Sequence, residues 1–312
     1  ESIKSRGYNC TVESSKAFPT IYRIKYELKA TPLVSIMIPN MNHKSDLQRC
    51  IKSILSKSTY NNYEIIVIEN NSTEKEIFDY YKEIEEHQNI KVVKYDNEFN
   101  YSLINNFGAK HANGEYLVLL NNDTEVITPE WIEEMLMYAQ RSDVGIVGAK
   151  LYYPDNTVQH GGVVVGLGGI SGHTHRHVKS TEFGYMGIMY YAHNLSAVTA
   201  ACLMVKKSLF DQINGLDDEF AVAYNDVDFC LRIRELDKLI VLTPYAELYH
   251  YESKSRGYEN TPAKQKRFAR EIELFHKKWD DKILKTGDPY YNPNFSLAAH
   301  YEILYNKINS DN

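Results

Sequence analysis

The sequence predicts an α/β protein built on a mostly parallel central sheet that is flanked by helices. The main observation is that short apolar runs alternate with amphipathic stretches between residues 33 and 149. Short apolar runs are typical of buried parallel strands, and the stretches between them have helical periodicity. The second observation is size and composition: 312 residues, 43% hydrophobic and 24% charged, suit one large globular domain.

Strand and helix signals follow each other from Pro32 onward. The predicted strands are residues 33–38, 63–68, 90–95, 116–120 and 144–149, and a helix is predicted after each of the first four. The patterns Ser45-x-x-Gln48 and Thr73-x-x-Glu76 predict capped starts for two of these helices. Such alternation predicts strands that run in one direction, with ligands bound at their carboxyl ends.

The second half of the chain is less regular. Residues 152–196 are rich in Gly, His and Tyr, which predicts a long functional loop region with a smaller antiparallel part. Further strands are predicted at 197–205, 240–242 and 246–251, and helices at 226–236 and 262–279. We therefore expect a leader or linker over 1–31, a main domain over 32–260, and a C-terminal helix and tail over 261–312 that pack on it.

Charge and cysteine content disfavour several classes of protein. The formal net charge of −6 argues against a nucleic-acid partner. The four cysteines, Cys10, Cys50, Cys202 and Cys230, form no CxxC pair, so a reducing compartment fits better than a disulfide framework. No apolar run of about 18 residues is present, and no transmembrane segment is predicted.

Polar and acidic residues follow three predicted strands, at what becomes one edge of the sheet. They are Pro39-Asn40, Glu69-Asn70-Asn71-Ser72 and Asn121-Asn122-Asp123. Such residues also occur in ordinary turns, but three converging loops favour a ligand site. A carboxylate such as Asp123 can hold a divalent cation for the phosphates of a nucleotide, and His250 is a candidate second ligand.

Asp226 and Asp228 lie two residues apart at a predicted helix start. Side chains with this spacing do not share a helix face, so one is expected to cap the helix and the other to face the cleft. Farther back, His173, His175 and His177 alternate as on one face of a strand. They lack a carboxylate or cysteine at zinc spacing, which favours a polar loop over a zinc site.

The order of these motifs resembles glycosyltransferase family 2. The resemblance is carried by Ile38-Pro39-Asn40, Glu69-Asn70-Asn71-Ser72, Asn121-Asn122-Asp123 and Asn225-Asp226-Val227-Asp228-Phe229-Cys230-Leu231-Arg232. Residues 250–257 and 288–294 are similar to segments of bacterial members that build surface polysaccharides. The resemblance implies a GT-A catalytic domain over 32–260 and an inverting, metal-dependent glycosyltransferase that uses Mn²⁺ or Mg²⁺.

The resemblance also implies roles for individual residues. Asp226 matches the general base, Glu69 the acid that reads the nucleotide base, Asp123 the last acid of the DxD metal motif, and His250 a histidine that helps to hold the metal. The implied donor-binding positions are Pro39, Asn40, Glu69, Asn71, Asn121, Asn122 and Asp123. His160, His173, His175 and Asn225 are expected on the acceptor side.

Two positions depart from the family pattern. Asn121 stands where the first acid of DxD is usual, and Asn225 stands where the Glu of the ED motif is usual. The first weakens the expected metal site by one negative charge, and the second leaves Asp226 without an acidic neighbour. These substitutions keep open the alternative of a non-catalytic sugar-binding module.

The expected reaction is transfer of a sugar from a UDP- or dTDP-sugar to a hydroxyl of a glycan, polysaccharide or lipid-linked acceptor. Because such donors are made in the cytoplasm, we expect a cytoplasmic protein that is peripheral at the inner face of the plasma membrane. A nucleotidyltransferase is a further alternative. The absence of a Gly-rich phosphate loop after the first strand counts against it.

Overall fold

The computed structural model describes residues 3–15, 18–251, 261–299 and 301. An antiparallel hairpin, β1 (Cys10–Ser14) and β2 (Tyr22–Tyr26), precedes the alternating part of the chain. That part comprises β3 (Val34–Asn40), α1 (Lys44–Lys57), β4 (Tyr63–Glu69), α2 (Lys75–Ile84), β5 (Ile90–Lys94), α3 (Tyr101–Lys110), β6 (Tyr116–Leu120), β7 (Thr124–Val126) and α4 (Trp131–Ala139).

The second half of the chain contains more short strands. It comprises β8 (Val144–Tyr152), β9 (Val158–His160), β10 (Val163–Val165), β11 (Ser171–His173), β12 (His193–Leu195), β13 (Cys202–Lys206), α5 (Lys207–Gln212), α6 (Asn225–Arg234), β14 (Leu239–His250) and α7 (Pro262–Trp279). The pair β10–β11 is antiparallel and is part of the smaller antiparallel region that was predicted.

The central sheet has ten strands within the described residues, and its main order is β12-β14-β8-β13-β6-β3-β4-β5. Strands β3, β4, β5, β6, β8 and β14 run in one direction, which confirms the mostly parallel sheet. Strand β13 lies antiparallel between β6 and β8. The carboxyl ends of the parallel strands therefore meet at one edge on both sides of β13.

Helices cover both faces of the sheet. Ile36 and Ile38 of β3 are fully buried in the apolar cluster that contains residues of α1, α2 and α4. Met37 between them is buried in the other cluster, with residues of α3, α6 and α7. Because successive side chains of a strand point to opposite faces, a strand covered on both sides is apolar throughout.

The N-terminal residues differ from the leader or linker that we expected. The β1–β2 hairpin packs on α4, where Arg23 forms an ion pair with Glu134. The rings of Tyr26 and Tyr138 lie 5.5 Å apart, and the Tyr138 hydroxyl donates to the Ile24 carbonyl oxygen over 3.1 Å. The polar alternation of these residues is that of a half-exposed hairpin, whereas the domain boundary at residue 31 stays a prediction.

The C-terminal helix α7 has the bounds predicted from its amphipathic pattern. Its Phe275 and Trp279 are buried against the sheet side that also contacts α6. In the part of the chain that the structure describes, every helix is too short or too polar to cross a lipid bilayer. Residues 252–257, which contribute to the family resemblance, lie outside the described residues.

Candidate active site

The ends of four parallel strands bring the predicted polar residues to one edge of the sheet. Asn40 is the last residue of β3 and pairs in register with Glu69, the last residue of β4. Asn121 follows β6 directly, and His250 ends β14. Since β3, β4, β6 and β14 run in the same direction, these four side chains belong to one edge.

A buried hydrogen-bond network joins the loops after β3, β4 and β6. The Tyr81 hydroxyl donates to Glu69 Oε2 over 2.7 Å, and Asn40 Nδ2 donates to the Tyr81 oxygen over 2.7 Å. Asn122 Nδ2 completes the network by donating to Asn40 Oδ1 over 2.6 Å. Burial raises the pKa of Tyr81, so its hydroxyl remains a donor at neutral pH.

Glu69 also receives two hydrogen bonds from Ser72. The Ser72 backbone N–H donates to Oε1 over 2.6 Å, and its hydroxyl donates to Oε2 over 2.5 Å. With the Tyr81 bond, three of the roughly four lone-pair positions of the carboxylate are used. Glu69 is 3% exposed and is held in one orientation, with one acceptor position left for a ligand.

Asp123 and His250 form the second part of the site. Asp123 Oδ1 lies 3.2 Å from His250 Nε2, and Asn121 Nδ2 lies 3.1 Å from the same nitrogen. Burial raises the pKa of the Asp123 carboxyl, but the hydrogen bond and charge of His250, with Arg49, outweigh it and place the pKa below its usual value. Asp123 is therefore ionised at neutral pH.

The Asp123–His250 pair has the chemistry of a partial cation site. Within the described ranges, no group of three His, Cys, Asp or Glu side chains is arranged to hold a metal ion. Carboxylate oxygen and imidazole nitrogen are ligands for Mn²⁺, and the carboxylate also suits Mg²⁺. Asp123 Oδ1 and His250 Nε2 lie 3.2 Å apart, so both would reach one divalent cation when Nε2 carries no proton, with ligand oxygens completing the site.

Asp226 lies at the first turn of α6 and is half-buried. Its Oδ2 accepts the Ala200 backbone N–H over 3.1 Å, and its Oδ1 accepts that of Val227 over 2.9 Å. The Tyr101 hydroxyl lies 3.1 Å from the Ala200 carbonyl oxygen and 3.4 Å from Asn121 Oδ1. Tyr101 thus links the loop that holds Asp226 to the loop that carries Asp123.

The charge around Tyr101 supports this proximity. Burial raises the pKa of the Tyr101 hydroxyl, and the negative charges of Asp226 and Asp123 raise it further. Both carboxylates therefore act on the same hydroxyl group, which stays protonated at neutral pH. Asp226, Tyr101 and Asp123 belong to one polar site.

Asp228 has different surroundings from Asp226. It is fully buried, and its Oδ2 accepts from Arg232 Nε over 2.7 Å. Its Oδ1 lies 2.7 Å from Lys278 Nζ and 3.0 Å from Trp279 Nε1. Asp228 therefore joins α6 to α7, and its side-chain contacts within the described residues are with these two helices.

The histidines expected on the acceptor side are brought together in part. His160 Nδ1 lies 2.9 Å from His173 Nδ1, and the Thr199 backbone N–H lies 3.4 Å from His160 Nε2. Burial and the neighbouring histidines hold the pKa of His160 well below its usual value, so its ring is neutral. His160 thus borders the loop that ends at Ala200, beside Asp226.

Several expected positions lie apart from these contacts. His175 is buried beside Thr174, with its ring 4.8 Å from that of Tyr301. Asn225, the first residue of α6, is buried and donates to the Val222 carbonyl oxygen in the preceding turn over 2.9 Å. Asn71 is exposed and donates to the Asn97 carbonyl oxygen over 2.8 Å.

Two further expectations concern backbone positions. Pro39, which was expected to follow the first strand, lies half-buried within β3, opposite Ile68, and its donor-binding role stays a prediction. The alternating histidines do not share a strand face. Only His173 belongs to β11, because His175 and His177 have φ angles of 60° and 62°.

Three residues of this site were not among those predicted from the sequence. Tyr81 and Tyr101 lie on helices, where an aromatic residue is expected to pack in the core. Gln159 accepts a hydrogen bond at its Oε1 from His250 Nδ1 over 2.9 Å. Its position next to His160 in a Gly- and His-rich segment is the one available signal for it.

Comparison with solved structures supports the fold. A mannosyltransferase from Pyrobaculum calidifontis, solved with GDP-Man and Mn²⁺, is 15% identical with a TM-score of 0.59, covering 82% of this chain and 66% of that one. GalNAc-T7, solved with UDP, GalNAc and Mn²⁺, is 14% identical with a TM-score of 0.64, covering 83% and 50%. The predicted GT-A fold is confirmed.

Two of the sequence relatives are larger proteins. The uncharacterized protein y4gI of Sinorhizobium fredii is 44% identical over 288 residues, which are 92% of this chain and 32% of that protein. The O-antigen biosynthesis protein RfbC of Myxococcus xanthus is 36% identical over 303 residues, 96% of this chain and 23% of that protein. The chain thus spans about a third or less of the length of these relatives.

A family model provides the most direct assignment. The model described as Glycosyl transferase family 2 matches residues 35–213, which contain β3 to β13 and the Asn121-Asn122-Asp123 motif. The match extends over more than half of the chain, and it agrees with the motif order, the GT-A fold and the relative in O-antigen biosynthesis. The chain belongs to glycosyltransferase family 2.

Proposed function

We propose that the chain transfers a sugar from a UDP- or dTDP-sugar to a hydroxyl of a glycan, polysaccharide or lipid-linked acceptor, with inversion at the anomeric carbon. Membership of the family supports the reaction type, and the relative in O-antigen biosynthesis supports a bacterial surface polysaccharide as the setting. The observation that carries the proposal is the pair of contacts made by the Tyr101 hydroxyl. One is with Ala200, whose N–H binds Asp226, and the other is with Asn121 in the motif that contains Asp123.

In the proposed reaction, Asp226 accepts the proton of the acceptor hydroxyl. The hydroxyl oxygen attacks the anomeric carbon as the bond from that carbon to the diphosphate breaks, and this single displacement inverts the configuration. Each Asp226 oxygen accepts one backbone N–H, so a lone pair remains on each for the hydroxyl. The two N–H bonds fix the orientation of the carboxylate.

The donor is proposed to lie along the strand ends. Asn40, Asn122 and Glu69 form the nucleotide side, where the remaining acceptor position of Glu69 suits the imide N–H of uracil or thymine. Asp123 and His250 would hold Mn²⁺ or Mg²⁺, which when bound supplies positive charge next to the leaving diphosphate. We place the protein at the cytoplasmic side of the membrane, where such donors are made.

The decisive experiment replaces the proposed base. Asp226→Asn keeps the size of the side chain but removes the proton acceptor, so kcat should fall by a factor of about 10² to 10⁴. Donor affinity should stay near the wild-type value, because the group acts on the acceptor in the transition state. The measurements are released nucleoside diphosphate and donor Kd by calorimetry.

Asp228→Asn is the matched control for this experiment. It makes the same chemical change two residues away, in the buried contacts between α6 and α7. It should lower stability and leave kcat of the folded enzyme close to wild type. A wild-type rate in Asp226→Asn would show that another group is the base, and no release by wild-type protein with any donor would favour a sugar-binding module.

A further inference from the structure

We propose that Gln159 is a positioning residue that fixes the tautomer of His250, so that the lone pair of Nε2 faces Asp123. The inference rests on the cation site of the proposed function. Gln159 lies outside the motifs at the strand ends. Its proposed role is to determine whether the Asp123–His250 pair can bind a cation or instead shares a proton.

The backbone of β9 directs Gln159 toward the site. The ladder pairs Leu151 with His160 and Tyr152 with Val158, so Gln159 is the extra residue of a bulge. A bulge adds one residue to a strand and changes the direction of its side chain, often next to a functional site. Gln159 and His250 are 5% and 7% exposed, so their hydrogen bond is shielded from water.

The hydrogen bond selects one of two competing tautomers. A neutral imidazole carries a proton on one nitrogen, and the partner of one nitrogen determines the state of the other. The Gln159 carboxamide oxygen only accepts, so the 2.9 Å contact requires Nδ1–H, and in the neutral ring this leaves a lone pair on Nε2. Asp123, 3.2 Å from Nε2, favours the opposite tautomer, with the proton on Nε2.

The two tautomers differ in what they allow at this position. With the proton on Nε2, His250 donates to Asp123 and the nitrogen cannot coordinate a cation. With the proton on Nδ1, the Asp123 carboxylate and the Nε2 lone pair face each other as two ligands. Outer partners that orient a histidine in this way typically change metal affinity by about 10- to 100-fold when removed.

The test compares Mn²⁺ binding by electron paramagnetic resonance, with Mn²⁺ alone and with Mn²⁺ plus saturating UDP. Gln159→Leu should weaken Mn²⁺ affinity by about 10- to 100-fold. Gln159→Glu keeps an acceptor for Nδ1–H and should retain at least wild-type affinity. Gln140→Leu, the same change at a glutamine that bonds Glu27 and Lys29 far from the site, should leave Mn²⁺ affinity unchanged.

A second measurement reports the tautomer without any metal. ¹⁵N NMR of histidine-labelled protein, with His250→Ala to assign the signal, should show Nδ1–H in wild type and in Gln159→Glu. It should show Nε2–H in Gln159→Leu. Loss of packing alone would not exchange the two nitrogen shifts.

Two results would overturn the proposal. One is wild-type Mn²⁺ affinity in Gln159→Leu, and the other is Nε2–H in the wild-type protein. Sugar transfer by the wild-type enzyme is assayed in parallel, so that a failure of the proposed function can be told apart from a failure of the proposed role of Gln159. If transfer occurs but Gln159→Leu binds Mn²⁺ normally, the positioning role is wrong and the proposed function stands. If the wild-type protein binds no Mn²⁺ under either condition, both the cation site and the role of Gln159 fall.

Discussion

At the scale of single residues, we propose that the buried Glu69 side chain sets donor choice. Three donors, two from Ser72 and one from Tyr81, hold its carboxylate at the end of β4. The uracil or thymine ring presents an imide N–H, which a carboxylate accepts directly. This supports a preference for UDP- or dTDP-sugars over GDP-sugars.

We predict that Glu69→Gln weakens UDP binding by roughly 1–3 kcal/mol, because a hydrogen bond to a charged group is lost. Calorimetry with UDP and GDP measures the effect. Glu64→Gln is the matched control, since Glu64 lies at the other end of β4 and also accepts bonds from Ser35 and Lys91. Equal affinity of the wild-type protein for UDP and GDP would contradict the assignment.

Residue identity and spacing predicted some side-chain environments better than others. The different surroundings of Asp226 and Asp228 follow from helix geometry, which a spacing of two residues reveals. The burial of Asn225 against Val222 does not, because the same amide could cap a turn or face a ligand. The position of the Gln159 side chain could not be predicted for a related reason, because a bulge depends on the pairing with the partner strand.

At the scale of elements, the segment from His160 to His173, which contains β10 and β11, lies beside the cleft. His160 is bonded to His173 at the end of β11 and borders Thr199, which precedes the residue that holds Asp226. The buried His160 imidazole, whose pKa is held well below its usual value, and the half-buried His173 imidazole offer ring nitrogens that suit hydrogen bonds with sugar hydroxyls. We therefore propose that this segment lies on the acceptor side of the site.

His173→Ala should raise the acceptor KM by about 2- to 10-fold, the effect of losing one neutral hydrogen bond. Donor Kd should change little, since the donor contacts lie at the ends of β3, β4 and β6. His177→Ala serves as a control in the same segment, because His177 is exposed and stacks on Tyr153 at 4.9 Å. An equal loss of donor affinity in His173→Ala would remove the segment from the acceptor side.

The order of strands and helices was predictable, but their caps and the place of β13 were not. Apolar periodicity is local, so β3 to β6 and α1 to α4 could be identified directly, whereas the three-residue strand β7 was missed. The predicted caps at Ser45 and Thr73 are wrong: α1 and α2 have no side-chain cap from their preceding residues. Instead Asn42 Oδ1 accepts the N–H groups of Thr73 and Glu74 before α2. A residue from another loop performs this role, and local patterns do not show it.

At the scale of the whole molecule, Asp228 ties the C-terminal helix to the main sheet. Its carboxylate contacts Arg232 on α6 and both Lys278 and Trp279 on α7. Asp228→Asn should lower the free energy of unfolding by about 1.5–3 kcal/mol, because hydrogen bonds to a charged group are weakened. Chemical denaturation followed by circular dichroism measures this.

The same experiment tests how far the C-terminal helix is integrated. If α7 is part of one cooperative unit, the Asp228→Asn protein should unfold in a single transition at lower denaturant concentration. Asp281→Asn is the control, since Asp281 pairs with Lys285 on the exposed surface. An early transition that involves helix loss alone would indicate that α7 unfolds separately from the sheet.

The placement of β13 between β6 and β8 also bears on how the chain folds. Asn121 and His250 are 129 residues apart in sequence, and the Asp123–His250 pair connects strands on opposite sides of β13. Contacts between distant segments form late and slow the search for the native state. The β3 to β6 unit, with Asn40, Glu69 and Asn122, can therefore assemble before the Asp123–His250 pair exists, and the proposed cation site would be completed only when β14 joins the sheet. Binding of the proposed cation would then act as a check on completed folding.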